Sequence, residues 1–166
     1  MRARINKTVD WLNKAYMVAA VIFLVILSIC CILQVVSRKF LNGALQGTEE
    51  LARYAFIWMN MLGASLCVSK GSHATVELLN NALKGKVKLI HSIIVTFAVV
   101  VIAVIFVVQG LKMAFLAAGQ LSPTIRIDMG IMYLAVVFFG FGALVNGLNN
   151  ILNYAASCRE GSEVAV

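Results

Sequence analysis

The chain has 166 residues, of which 61% are apolar and 13% charged, with a formal net charge of +7. A soluble domain of this size carries about 25% charged residues, so the composition excludes a water-soluble enzyme or binding domain and defines a membrane protein. The cations flank apolar runs instead of forming a patch, which excludes a nucleic-acid partner.

Residues 1–14 come first. Ile5, Val9, Leu12 and Tyr16 fall at helical spacing opposite Arg4, Lys7 and Lys14. This predicts an amphipathic arm in the headgroup layer, with Trp11 suited to that depth. A plain extension of the first span is the alternative. The first apolar run, 15–36, follows a basic stretch resembling a signal peptide. Trp11 and Lys14 interrupt that stretch, the run is too long, and no small-x-small site precedes Arg38, so a retained span is expected. A short connection, 37–48, ends at Thr48, a candidate N-cap. The second run, 51–68, is the shortest.

The next connection, 69–88, places Val76, Leu79 and Leu83 on one helical face and predicts a second interfacial helix, ended by Gly85. The third run, 89–110, continues into apolar residues 113–118, so a long, tilted helix ending at Gly119 is expected. Pro123 and the pair Arg126 and Asp128 lead into the fourth run, 129–152. A tail follows over 154–166. Each run approaches or exceeds the roughly 18–20 residues that cross about 30 Å of hydrocarbon. The expectation is an all-α membrane protein: one domain over residues 1–166 with four transmembrane helices plus interfacial amphipathic helices.

Charge sets the orientation. Arg2, Arg4, Lys7, Lys14, Lys70, Lys84, Lys86, Lys88 and Arg159 fall on one side, and Arg38, Lys39, Arg53, Lys112 and Arg126 on the other. The bias predicts both termini in the cytoplasm. Cys30, Cys31 and Cys67 lie in apolar runs as small hydrophobes, and Cys158 lies in the tail, so no disulfide framework is implied.

Glu49, Glu50 and Arg53 stand at the mouth of the second run. Glu49 and Arg53 are four apart, acid first, which suits a helical ion pair, and both acids suit a helix N-terminus. Three roles are open: an ion or substrate site, a docking point for a partner, or a helix start with a local salt bridge. The position near the headgroups favours the last two, because a coupling carboxylate lies deeper. Asn60, Gly63 and Cys67 form a polar-to-small stripe suited to helix packing. Asn146, Asn149, Asn150 and Asn153 form another, with Gly140, Gly142 and Gly147 as close-approach positions. Interhelical hydrogen bonding fits these amides better than a conduction path, since no acid accompanies them. His73 and His91 lack the further ligands that a metal or haem would need. No phosphate loop, Ser-His-acid set or metal motif occurs, so no cofactor, catalytic residue or ATP chemistry is expected.

The run Glu49-Glu50-Leu51-Ala52-Arg53-Tyr54, then Phe56, Trp58, Leu62-Gly63-Ala64, Gly71 and His73, resembles the DctQ-type small membrane subunit of tripartite ATP-independent periplasmic (TRAP) transporters. Ser122-Pro123, Ile127, Tyr133 and Gly140 also resemble that family. The chain departs from its pattern at Gly47, where an aromatic residue is frequent, and in lacking prolines after the second connection and inside the fourth run. The resemblance implies a helper in the bacterial inner membrane with three partners: a large membrane subunit, a periplasmic substrate-binding protein and membrane lipids. It implies uptake of an organic acid, such as a carboxylate or sialic acid, driven by an ion gradient, sodium in the first instance. The small subunit would act as scaffold and docking surface. Three other classes compete. A small four-helix exporter needs an acid buried in a span, and the first span has none. A membrane oxidoreductase needs paired outer cysteines or haem histidines, and a structural membrane protein needs nothing further.

Overall fold

The computed structural model describes residues 2–40, 46–69 and 86–163. They fold into α1 (Arg2–Phe40), α2 (Gln46–Ser69), α3 (Lys86–Ala117) and α4 (Gly130–Glu163). Helices are the expected answer to an apolar chain in lipid, where each backbone N–H and C=O must be satisfied within its own segment. All four are long and apolar enough to cross a membrane, with mean hydropathies of 3.0, 1.3, 2.9 and 2.0 in chain order. Among the described residues the only β pairing is an isolated antiparallel bridge between Leu121 and Asp128. The chain is an all-α membrane protein.

The element ends follow local chemistry. Arg38 and Lys39 occupy the last turn of α1, where cations complement the helix dipole. α1 is continuous from Arg2, so the amphipathic arm is the first part of the span helix and not a separate element. Thr48 does not precede α2: the helix starts two residues earlier, at Gln46, and Thr48 lies in its first turn. α3 runs to Ala117, and Gly119 follows at φ +85, a conformation that suits glycine after a helix end. Asp128 caps α4, its Oδ1 accepting from Gly130 N at 2.7 Å. The second expected interfacial helix falls outside the described residues.

The helices pack in the spatial order α1, α2, α4, α3. α3 touches α4 alone among the described helices, and α1 rests mainly on α2. The inner pair is therefore the more enclosed. One third of the span is buried in α2 and in α4, against 6% in α1 and 11% in α3. Between α3 and α4, close approach comes from missing side chains. A Cβ built on Gly140 would lie 2.9 Å from the carbonyl oxygen of Ala103 and 2.7 Å from the Val107 side chain. Ala103, Ala143 and Val68 form the dry centre, with Val99, Phe139 and Leu144 packed around it. Trp58 ties three helices together, stacking on Phe23 of α1 at 5.6 Å and meeting Phe138 of α4 at 5.5 Å.

Candidate functional site

The first turn of α2 faces the connection between α3 and α4, residues 118–129. A connection of that length needs partners for its backbone N–H groups unless water supplies them. Some are internal: Ser122 N donates to Ile127 O at 2.9 Å and Met129 N to Gln120 O at 2.8 Å. These bonds close a small loop around Pro123, with Arg126 at a positive φ of 56.

Glu50 supplies two more. Its Oε2 accepts from Thr124 N at 3.1 Å and from Ile125 N at 3.0 Å. Its Oε1 accepts from the hydroxyl of Tyr54 at 2.6 Å and from the hydroxyl of Ser122. Tyr54 and Ser122 are both buried. The carboxylate thus takes four donors and clamps the loop to the start of α2. Hydrogen bonds to an ionised acceptor are the strong kind. Asp128 closes the loop from the other side, accepting from Gly119 N at 3.0 Å as well as from Gly130 N. Those two backbone donors hold its carboxyl below the usual aspartate range.

Glu49 and Arg53 point elsewhere. They pair at 3.4 Å, and their side chains are 55% and 67% exposed. The two glutamates therefore part company: Glu50 is a structural acceptor, and Glu49 with Arg53 forms an open surface pair.

A second polar cluster lies at the opposite ends of these helices. Asn13 of α1 and Asn146 of α4 exchange amide hydrogen bonds, each at 2.9 Å, and Asn13 also donates to Ser69 Oγ at 2.7 Å. Asn150 donates to Val68 O at 3.0 Å, and the Tyr16 hydroxyl to Phe138 O at 3.0 Å. Asn146 is 1% exposed, so its amide needs these partners.

The expected packing positions divide. Gly140, Gly142 and Asn146 are buried at helix contacts. Asn149 is half-buried in α4. Asn60 and Gly63, expected at a helix contact, line a groove between α1 and α2 instead of a close contact among the described residues. Asn60 is exposed and donates to Phe56 O of its own helix at 2.8 Å. A Cβ on Gly63 would meet nothing within 4 Å. Among the motif positions, Tyr54 and Trp58 are engaged as described, Pro123 is exposed in the clamped loop, and Tyr133 is 41% exposed on α4. Gly71 and His73 lie outside the described residues.

Sequence reading missed Asn13 and the clamping role of Ser122. Asn13 had a usable signal. It lies four residues after Val9 and three before Tyr16, on the face that those residues bury. Among the described residues no group of three or more His, Cys, Asp or Glu is placed to hold a metal.

A four-span helical protein whose polar groups serve helix contacts and one clamped loop is a membrane component built around packing. The sequence profile of the family described as "Tripartite ATP-independent periplasmic transporters, DctQ component" matches residues 26–156. The chain is similar to two Haemophilus influenzae (strain Rd) proteins assigned as TRAP transporter small permease proteins. It is 31% identical to one over 131 residues, covering 78% of this chain and 81% of that protein. The other is 30% identical over 132 residues, 79% of each. It is also 31% identical over 108 residues to the sialic acid TRAP transporter permease protein SiaT of strain 86-028NP, covering 65% of this chain but 16% of that protein. The chain belongs to the DctQ family of TRAP transporter components and is a multi-pass small permease subunit of a transporter family, not of an enzyme family.

Proposed function

We propose that this chain is the scaffold of a TRAP transporter in the bacterial inner membrane, with both termini in the cytoplasm. It packs beside a large membrane subunit and offers its clamped loop, with Glu49 and Arg53 nearby, to a periplasmic substrate-binding protein. The large subunit carries the substrate, an organic acid such as a carboxylate or sialic acid, and a sodium gradient drives uptake. The similarity to a permease named for sialic acid supports that substrate class.

The observation that carries the scaffold reading is the state of Glu50. A coupling carboxylate must be free to take up and release an ion. Both oxygens of Glu50 are instead occupied by four donors of this chain, two of them backbone N–H groups. Among the described residues, the other acids of α2 and the adjoining loop are the surface pair of Glu49 and the cap of Asp128. Transport sites are built at the midplane from broken helices, and the span of α2 is unbroken from Gly47 to Ser69.

Reconstitution tests this. In liposomes the isolated chain is expected to move no sialic acid or dicarboxylate. Uptake is expected once the large subunit, the binding protein and an inward sodium gradient are all present. Sodium-driven uptake by the chain alone would overturn the scaffold reading and favour a stand-alone carrier.

A further inference from the structure

We propose that the groove between α1 and α2 seats a transmembrane helix of the large permease subunit, hydrogen-bonded to Asn60; this rests on the assembly proposed above. The groove has a volume of about 470 Å³ and runs along Val21 and Leu24 on α1 and Asn60, Gly63 and Ala64 on α2.

Three observations point to a protein helix as the occupant. The first is an unmet hydrogen-bonding demand. Asn60 lies near the middle of the Gly47–Ser69 span and is exposed. One amide proton goes to Phe56 O, and its carbonyl oxygen has no donor among the described residues. At that depth there is no water, and acyl chains offer no donor. A facing helix with a serine, threonine or amide side chain does.

The second is the space beside it. Gly140 is explained by α3, whose backbone and Val107 fill the place where a side chain would go. Gly63 has no such explanation among the described residues, because a Cβ there meets nothing within 4 Å. The missing side chain leaves room that none of the described residues uses. The third is the character of α2. Its span has a mean hydropathy of 1.3, the lowest of the four, against 2.9 for α3, whose exposed residues between Ile94 and Val108 are all apolar and suit lipid.

The large subunit is the favoured occupant over a second copy because of one relative. In the sialic acid permease the matching stretch is only 16% of a much longer chain. There, a stretch like this one shares a single chain with the rest of a permease.

The test uses the complex co-expressed with its large subunit and binding protein. A photoreactive amino acid is placed at Ala64 in the groove, and separately at Ile105 on the exposed face of α3. Illumination is expected to join the small and large subunits from position 64 and to give lipid adducts from position 105. Gly63→Leu extends into the groove from a position where the first added carbon meets no atom within 4 Å. It is expected to leave expression and monodispersity unchanged while reducing co-purified large subunit at least tenfold. Asn60→Leu is expected to reduce it about fivefold, as the loss of one interhelical hydrogen bond would. Cross-linking from position 105 instead, joined small chains, or lipid adducts alone from position 64 would each overturn the proposal while the subunits still co-purify. If the intact chain fails to co-purify with a large subunit at all, the assembly reading itself fails.

Discussion

Glu50 binds residues 72 to 75 positions away in the sequence, so one side chain fixes how α2 meets the α3–α4 connection. Glu50→Gln keeps the size but replaces one acceptor oxygen with an N–H₂ group. That group either faces the N–H of Thr124 and Ile125 or opposes the two hydroxyls. The expected outcome is a lower melting temperature in detergent and faster proteolysis within residues 118–129. Arg53→Gln removes only an exposed i,i+4 pair, worth about 0.3–0.5 kcal/mol, and should leave both readouts nearly unchanged. Equal effects from the two substitutions would mean that the clamp is not structural. Asp128 adds a pH dependence. Its folded-state pKa is lowered by the N–H groups of Gly119 and Gly130, so its contribution is complete above the ordinary aspartate value of about 3.9 and is lost as pH falls through the folded value. Hydrogen exchange at the Gly119 amide should therefore show a constant protection factor from neutral pH down to about 4 and declining protection below it. A protection factor that falls between pH 7 and 5 would assign the effect to another group.

At the scale of elements, the helices join through complementary small and polar positions. The reciprocal amide pair of Asn13 and Asn146 links the outer helix α1 to α4. Replacing Asn13 by leucine strands the buried Asn146, at an expected cost of about 1–2 kcal/mol, whereas replacing Asn146 leaves Asn13 its bond to Ser69. Replacing both removes the demand along with its satisfaction. The double substitution Asn13→Leu with Asn146→Leu should therefore cost less than the sum of the single ones, measured by thermal unfolding of the purified subunit. Strict additivity would mean that the amides act independently. Much at this scale was legible in the sequence. The apolar runs, the helix end at Gly119, the Glu49–Arg53 pair and the buried faces at Gly140 and Asn146 follow from period, charge and residue size. The reach of Glu50 was not, because its loop donors are backbone groups and no residue type announces where a loop N–H will point. Asn60 was read as a packing residue because its spacing suits a helix contact. Periodicity defines a face but does not say whether this chain or another covers it.

The two polar clusters give the molecule two different ends. The clamp joins the start of α2 to the residues between α3 and α4, so these lie on one side of the membrane. Asn13, Ser69 and Asn146 meet on the other. That pairing is what four successive crossings require, and it holds whichever side faces the cytoplasm. Cation placement then chooses between the two orientations. Nine of the fourteen Lys and Arg residues belong to the Asn13 side or to segments joined to it, a bias that supports the proposed cytoplasmic placement of that side. The structure also tells where a label must go. Ser122 is 2% exposed and would not react even on the accessible side, whereas Thr124 is exposed and binds Glu50 through its backbone alone. In a chain freed of its four cysteines, a membrane-impermeant maleimide should label Thr124→Cys on intact spheroplasts and Lys7→Cys only after permeabilisation. Ser122→Cys should remain unlabelled until Glu50→Gln releases the loop. The reverse pattern at Thr124 and Lys7 would invert the orientation and move the clamped loop away from any periplasmic partner. The scaffold would then need another face to meet the binding protein.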